Sequence, residues 1–145
     1  MKNEKQITIS IIEDHIGLRV SLENFLQYNN FKVVLQAANG QLAIESLQLQ
    51  QVLPDICILD INMPVMDGFQ TAKELAVRYP KIKILVFSSL DNKRSIREML
   101  SLGVKGYILK GTSPEKIKTA VIKLYEGGYY FSDTISKTAL GYLAE

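Results

Sequence analysis

The segment Asp55 to Gly68 reads DICILDINMPVMDG, and the rest of the chain is arranged around it. Its apolar run, Ile56 to Leu59, has no polar alternation, which is typical of a strand that helices cover on both faces. Asp60 closes the run, and Pro64 and the Asp67-Gly68 pair indicate a turn before the next helix. In open parallel sheets, ligands bind in the crevice beyond the strand ends, where an acid in this position lies.

Apolar runs alternate with helical periodicities on both sides of this segment. The other predicted strands are Ile7 to Ile12, Phe31 to Leu35, Ile82 to Phe87 and Tyr107 to Leu109. Each strand is followed by apolar residues at helical spacing, and the helices stop at Asn29-Asn30, Pro80, Gly103 and Gly127-Gly128. Five such units predict an α/β fold, with a five-stranded parallel sheet in the flavodoxin-like order 2-1-3-4-5 and helices on both faces.

Composition limits the possibilities only modestly. The chain has 145 residues, 47% of them hydrophobic and 22% charged, which fits one globular domain. Its net charge of +2 does not indicate a class of partner. Cys57 is the single cysteine and lies in an apolar run, so we expect a buried thiol in a reducing compartment. The stretch Ile7 to Ile12 is too short for a signal peptide or a membrane span, which predicts a cytoplasmic protein.

Polar side chains follow four of the predicted strands. Glu13 and Asp14 come after the first strand and Asp60 after the third, and these two strands are neighbours in the predicted order. Ser88 follows the fourth strand, and Lys110 follows the fifth. We therefore expect three carboxylates to converge at one edge of the sheet, flanked by a hydroxyl group and an ammonium group.

Three carboxylates in one crevice repel each other, since a pair about 4 Å apart costs about 4 kcal/mol at an effective dielectric of 20. A hard divalent cation with oxygen ligands offsets this repulsion, and Mg²⁺ characteristically combines one or two carboxylates with water and phosphate oxygens. Lys110 supplies further positive charge. The set suits a phosphoryl group, with Asp60 as the nucleophile and the lysine and hydroxyl groups holding the transferred oxygens.

Each of these residues also has a plainer interpretation. Asp60 fits a solvated strand end, Asp14 fits a cap on the first helix, Ser88 fits a strand-end hydroxyl, and an isolated Lys110 fits a surface lysine. His15, the only histidine, is interpreted as a residue of the first helical turn without a role in the site. The functional interpretation depends on compatible groups at four strand ends.

The order of these groups resembles the receiver domain of bacterial two-component response regulators. It runs through Glu13-Asp14, Asp60 with Met63-Pro64, Asp67-Gly68, Ser88 and Lys110, and the resemblance extends from about Ile7 to Gly127. The resemblance implies that Glu13, Asp14 and Asp60 hold Mg²⁺ and that the backbone carbonyl of Asn62 completes the metal shell.

The resemblance also implies a role in signalling. Asp60 would accept phosphate from a sensor histidine kinase, and Ser88 and Lys110 would bind the phosphoryl oxygens. Tyr107 occupies the aromatic switch position, where the ring turns inward once Ser88 moves toward the phosphate. Such a domain is a phosphoacceptor and not an enzyme, apart from its own phosphoryl transfer and dephosphorylation. It is expected to form a homodimer on phosphorylation.

Three stretches are similar to the NarL/LuxR group of regulators. They are Phe87 to Ser89, Gly103 to Gly111 and Glu126 to Ser132. We predict a receiver domain over residues 1–128 and, over 129–145, a linker with a helix from Asp133 to Ala144. In this group a helix-turn-helix domain binds DNA. The chain has no room for one, so we expect a piece of a longer regulator or, alternatively, a stand-alone receiver.

One departure and several alternatives remain. Many receivers have a cis proline after the lysine, but Gly111 stands there, so the path of the Lys110 loop is not transferable.

The segment Lys93 to Lys123 has a local charge of +6 from eight basic and two acidic residues, which fits a solvated or partner-binding face better than a DNA contact. Alternatives on the same fold are a pseudo-receiver that binds partners without phosphate, a flavin carrier and an aspartyl-nucleophile phosphatase. Glu13 and Asp14 disfavour the flavin carrier, and Asn62 disfavours the phosphatase.

Overall fold

A six-stranded parallel sheet with helices on both faces forms the fold, in a computed structural model that describes residues 5–145. The strands are β1 Thr8–Ile12, β2 Lys32–Ala37, β3 Ile56–Leu59, β4 Lys83–Ser88, β5 Gly106–Leu109 and β6 Tyr130–Phe131. The helices are α1 Ile16–Tyr28, α2 Gly40–Leu49, α3 Gly68–Arg78, α4 Lys93–Ser101, α5 Pro114–Tyr125 and α6 Asp133–Leu143. The start of the predicted N-terminal region, residues 1–4, lies outside the described residues.

The strand order is β2-β1-β3-β4-β5-β6. The first five strands therefore follow the predicted order, but the prediction of five strands was wrong because β6 pairs in parallel with β5, with Gly106 opposite Tyr130. β6 has only two residues, both half-buried. A strand of that length has no measurable alternation of polar and apolar residues, so sequence periodicity does not detect it.

Two apolar layers cover the sheet. α1 and α5 pack on one face, and α2, α3, α4 and α6 pack on the other. All four residues of β3 are buried, as the uninterrupted apolar run at Ile56 to Leu59 predicts. The central strand is therefore enclosed on both faces, and Asp60 follows at its carboxyl end.

The predicted helix after the fifth unit forms, but it is packed against the domain. Ile135 and Ala139 of α6 are fully buried in the same apolar cluster as α4. Arg97 of α4 lies 5.2 Å from the ring centre of Tyr142 and 3.0 Å from the Glu145 carboxylate. Part of the predicted linker, 129–145, thus adds a strand and a helix to the packed unit. Its connection to an output domain stays a prediction.

Among residues 5–145, no helix has both the length and the apolar character required to cross a bilayer.

Ile135→Ala tests whether α6 is an integral part of the core. We expect it to lower the free energy of unfolding by about 2–5 kcal/mol, because it removes buried methyl groups and leaves a cavity. Leu140→Ala on the same helix is the control, since Leu140 is 58% exposed. It should change stability by less than about 0.5 kcal/mol in the same urea titration. Equal effects of the two substitutions would contradict the packing of α6.

Candidate functional site

The register of the sheet brings two acids together at its carboxyl edge. β1 and β3 are paired with Ile12 opposite Leu59, so Glu13 and Asp60 are the next residues on adjacent strands. The Asp60 backbone N–H donates to the Ile12 carbonyl at 3.0 Å, which extends the pairing to the site itself. Both side chains are buried, Glu13 with 2% and Asp60 with 4% of its surface exposed. The predicted convergence of these two residues is therefore observed.

Lys110 bridges the two buried carboxylates. Ser88 is opposite Leu109 in the pairing of β4 and β5, which places Lys110 at the same edge. Its Nζ lies 2.8 Å from Glu13 Oε1 and 3.2 Å from Asp60 Oδ2. Burying a carboxylate is costly unless it is paired, so the shared ammonium group is what makes this arrangement tolerable.

Backbone amides hold the other oxygen of each buried acid. The His15 N–H donates to Glu13 Oε2 at 3.0 Å, and the Ile61 N–H donates to Asp60 Oδ1 at 2.8 Å. The Arg19 guanidinium donates to the Glu13 carbonyl. The two backbone N–H groups thereby fix the orientation of the two carboxylates.

Asp14 completes an acidic cluster at the surface. It is exposed, and one carboxylate oxygen from each of Glu13, Asp14 and Asp60 lies within 4.8 Å of the other two. The cluster forms one wall of an open crevice of about 630 Å³, which Asn62 and Lys110 also line. This crevice, called here the acidic crevice, contains every predicted metal-binding residue.

Burial and charge set the protonation of the site. Burial raises the pKa of the Glu13 carboxyl, and the charge of Asp60 raises it further, while hydrogen bonds from Lys110 and from the His15 backbone oppose the rise. Burial lowers the pKa of Lys110, but its hydrogen bond to Glu13 and the charge of Asp60 outweigh that effect, so the pKa is raised overall. Lys110 therefore stays cationic at neutral pH.

The donor set fits a hard divalent cation. Three carboxylates face one ammonium group, which leaves an excess of negative charge at neutral pH. Among residues 5–145, the polar partner of Glu13 Oε1 is the Lys110 ammonium group, 2.8 Å away. The clustered ligand atoms are carboxylate oxygens, the donors that Mg²⁺ prefers, so Glu13, Asp14 and Asp60 could hold this ion.

Ser88 was expected to flank the carboxylates, but it is not among the residues that line the acidic crevice. It is fully buried, and its Oγ accepts a hydrogen bond from the Leu90 N–H at 3.1 Å. The neighbouring Ser89 is exposed and lines the crevice instead. Adjacent residues of a strand point to opposite faces, so a pair of serines at a strand end does not reveal which one faces the ligand.

The Tyr107 ring is turned inward in this structure. It is fully buried, and its hydroxyl donates to the Leu90 carbonyl at 2.6 Å. Burial and the nearby Asp91 charge raise the pKa of this phenol, so it remains a hydrogen-bond donor. Ser88 and Tyr107 are therefore linked through one residue, because both hydroxyl groups bind the backbone of Leu90.

His15 has a structural role that the sequence prediction missed. It is the N-cap residue of α1, and its Nδ1 accepts the Leu18 N–H at 3.1 Å. The alternative in which Asp14 caps this helix was wrong, and the Asp14 carboxylate instead joins the acidic cluster. The His15 ring also lines the acidic crevice. Aspartate is a common N-cap residue and histidine is not, so the sequence favoured the wrong neighbour.

The loop from β3 to α3 approaches Asp60 closely. A Cβ atom on Gly68 would lie 2.3 Å from the Asp60 carbonyl oxygen, and the Gly68 N–H donates to Ile61 at 2.8 Å. Val65 has φ of +69°, which is strained for a β-branched side chain. Gly68 is therefore required by its close contact with the Asp60 backbone, while Asp67 is the N-cap residue of α3.

Gly111 explains the departure noted after Lys110. Its φ is +94°, in the left-handed region that favours glycine, and residues 5–145 contain no cis peptide bond. The loop therefore reverses by a different local geometry while Lys110 still reaches both carboxylates.

The fold and the acidic crevice define a doubly wound α/β protein with an acidic site at the carboxyl edge of its sheet. The family model described as "Response regulator receiver domain" matches residues 9–122. The chain belongs to this family.

The similar proteins include a transcriptional regulatory protein and a response regulator protein. The chain is 33% identical over 135 residues to the transcriptional regulatory protein DegU of Brevibacillus brevis, covering 92% of this chain and 56% of DegU. It is 31% identical over 137 residues to the nitrate/nitrite response regulator protein NarL of Escherichia coli K12, covering 94% of this chain and 62% of NarL. The chain thus spans about three fifths of the length of these relatives.

Solved structures show the same fold. A LuxR-family two-component response regulator from Aurantimonas has a TM-score of 0.86 at 20% identity, over 97% of this chain and all of that one (100%). The isolated REC domain of RcsB from Salmonella enterica serovar Typhimurium, with the phosphomimetic BeF3⁻, has a TM-score of 0.82 at 22% identity, over 92% of this chain and 99% of that one. The NarL/LuxR resemblance predicted from the sequence is confirmed.

Glu13→Gln should stabilise the protein at pH 7 when no divalent cation is present, by on the order of 1 kcal/mol. Because the folded-state pKa of Glu13 lies above its ordinary value of 4.5, the unfolded chain releases this proton first, and wild type loses stability as pH rises through that window. Lys110 keeps its contact with Asp60 in the variant.

Urea titrations at several pH values measure this difference, which should disappear well below pH 4.5, where Glu13 is protonated in both states. Lys110→Gln is the comparison variant and should lower stability at pH 7, because it leaves two buried acids without a cation. A destabilised Glu13→Gln protein at pH 7 would contradict the excess of negative charge.

Gly68→Ala should lower the free energy of unfolding by about 1–3 kcal/mol, because the new methyl group forces the Asp60 and Ile61 backbone to move. Gly141→Ala is a matched control, since a Cβ atom there meets nothing within 4 Å. It should stabilise α6 slightly, as alanine favours a helix interior over glycine. Amide chemical shifts of Asp60 and Ile61 should change only in Gly68→Ala.

Proposed function

We propose that this chain is the phosphoacceptor receiver domain of a two-component response regulator, with Asp60 as the phosphorylated residue. The observation that carries the proposal is the bridge of Lys110 between Glu13 and Asp60 at the carboxyl edge of the sheet. It leaves a buried, oriented carboxylate beside a cation in an open crevice, which is the arrangement that nucleophilic attack on a phosphoryl group needs.

In the proposed reaction, a carboxylate oxygen of Asp60 forms a bond to phosphorus. The bond between phosphorus and the donor breaks, and the donor leaves with the electron pair. For a phosphohistidine donor the leaving atom is an imidazole nitrogen. Lys110 then pairs with the new phosphoryl oxygens, while the Ile61 N–H keeps the attacking carboxylate in position.

Glu13, Asp14 and Asp60 would hold Mg²⁺, with the Asn62 backbone carbonyl as a further ligand. When bound, the ion supplies positive charge to the transferred oxygens. Because burial raises the pKa of Glu13, a cation at this site also favours its ionised form.

Ser88 and Tyr107 are the proposed switch residues. Within residues 5–145 the Ser88 Oγ accepts one hydrogen bond, from Leu90, and its own O–H has no acceptor. A phosphoryl group on Asp60 adds about −1.5 to −2 charge and strong acceptor oxygens, which draws this O–H toward the acidic crevice. The hydrogen bond between the Leu90 N–H and Ser88 is then lost. Because the Leu90 carbonyl accepts a hydrogen bond from the Tyr107 hydroxyl, the resulting movement of the β4–α4 loop reaches the Tyr107 ring.

The proposed partners follow from the family. A sensor histidine kinase in the cytoplasm supplies the phosphoryl group. The relatives DegU and NarL are named as regulators and are longer than this chain, so we propose a DNA-binding helix-turn-helix domain beyond residues 129–145 and homodimer formation on phosphorylation.

Phosphorylation by acetyl phosphate with Mg²⁺, followed by intact mass, tests this function. Wild type should gain one phosphoryl mass and Asp60→Asn none, because an amide does not attack phosphorus under these conditions. Asp91→Asn is the control, since Asp91 lies in the loop before α4 and does not line the acidic crevice. Asp14→Asn should still be labelled but should need more Mg²⁺.

The alternatives give different results. Full labelling of Asp60→Asn would place the acceptor elsewhere. Unlabelled wild type, under conditions that label a known receiver, would favour a pseudo-receiver. Turnover of a phosphate ester that Asp60→Asn abolishes would favour a phosphatase.

A further inference from the structure

A second groove, of about 360 Å³, lies between α4 and α6. It is separate from the acidic crevice and shares no lining residue with it. Its lining residues are Lys93, Arg97, Lys137, Thr138, Gly141 and Tyr142. This α4/α6 groove therefore combines three cationic side chains from two helices with an aromatic ring, and the proposed phosphoryl chemistry uses none of them.

One cation of the α4/α6 groove already binds a carboxylate. Arg97 Nη2 lies 3.0 Å from both carboxylate oxygens of Glu145, and the guanidinium lies over the Tyr142 ring at 5.2 Å. The stacked ring orients the guanidinium for carboxylate recognition. The contact is half exposed, with 47% of the Arg97 side chain and 56% of the Glu145 side chain accessible, so a competing carboxylate can reach it.

The other two cations have no ion-pair partner among the described residues. Lys93 and Lys137 have no acidic group within 4.0 Å among residues 5–145. They stand on opposite walls, Lys93 at the start of α4 and Lys137 in α6. The α4/α6 groove thus has more positive charge than the protein itself neutralises.

The structure of the free protein shows no requirement for glycine at position 141. It lies in the interior of α6, where glycine is less favourable than alanine. Its φ is not positive, and a Cβ atom there would meet nothing within 4 Å. Neither backbone conformation nor close packing requires a glycine. The missing side chain instead leaves the wall of the α4/α6 groove open beside the Tyr142 ring.

We propose that the α4/α6 groove binds an acidic peptide segment of a partner protein. Carboxylates of the segment pair with Arg97, Lys93 and Lys137, and an apolar side chain between them occupies the space beside Gly141. The existing contact between Arg97 and Glu145 favours a carboxylate over a phosphodiester, because it is the same interaction made within the chain. Glu145 competes with the partner for Arg97.

The test is a titration of the full chain, labelled with ¹⁵N, with a blocked hexapeptide that alternates glutamate and leucine. Amide shifts should change along α4 and α6 and stay unchanged around Asp60. A peptide with glutamine in place of glutamate should not bind. An oligonucleotide of equal charge that binds this groove where the acidic peptide does not would overturn the proposal.

Variants locate the binding. Arg97→Gln should weaken peptide binding by about tenfold, since a charge-assisted contact is lost. Glu145→Gln should strengthen it by up to about fivefold, because the internal competitor is removed. Lys73→Gln on α3, the control with the same change of charge, should leave affinity unchanged.

Gly141→Leu separates binding from folding. It keeps every charge and adds a side chain where the free protein has open space, so the thermal midpoint should not fall. Peptide binding should be lost, because the leucine occupies the groove. Unchanged affinity in both Arg97→Gln and Gly141→Leu would show that the peptide binds elsewhere and would refute the proposal.

Discussion

A single lysine ammonium shared between two buried carboxylates is the interaction on which the site depends. Without Lys110, Glu13 and Asp60 would face each other in a low-dielectric environment with only backbone amides to offset their charge. With it, both acids remain oriented, and an excess of negative charge still faces the crevice. The same balance that keeps the fold intact therefore leaves the site able to attract a cation, which a fully neutralised cluster would not do.

This balance is set by the sheet more than by the loops. The pairing of β1 with β3 and of β4 with β5 delivers Glu13, Asp60 and Lys110 to one edge, and a slip of one residue would turn their side chains to the other face. The loops add close contacts, as at Gly68, and accept strain, as at Val65. The site is thus built on rigid strands and finished by loops that have little freedom.

The features that could be predicted from the sequence are those that depend on hydrophobic periodicity and on the order of polar residues along the chain. Apolar and β-branched runs identified five strands, and the residues that end them identified the acids and Lys110. The sequence did not predict β6, because a strand of two residues shows no hydrophobic periodicity. It also did not predict the cap by His15, because that cap depends on which of two neighbouring side chains faces the N–H groups of the first helical turn. The Ser88 hydroxyl accepts a local hydrogen bond from Leu90, two residues on, which competes with a position facing the site. The burial of α6 depends on tertiary contacts with α4, which no local pattern encodes.

The contacts at Leu90 have a consequence for evolutionary variation. Ser88 and Tyr107 bind its amide and its carbonyl, and neither hydrogen bond involves its side chain. Mutation at this position can therefore alter the surface presented next to the crevice while leaving the two tethers intact, with proline excluded because it has no N–H. The Leu90 side chain is half-buried against the apolar cluster that includes Ile96 and Met99, so apolar replacements of other shape are the ones that keep both the packing and the connection between the strand end and the aromatic ring.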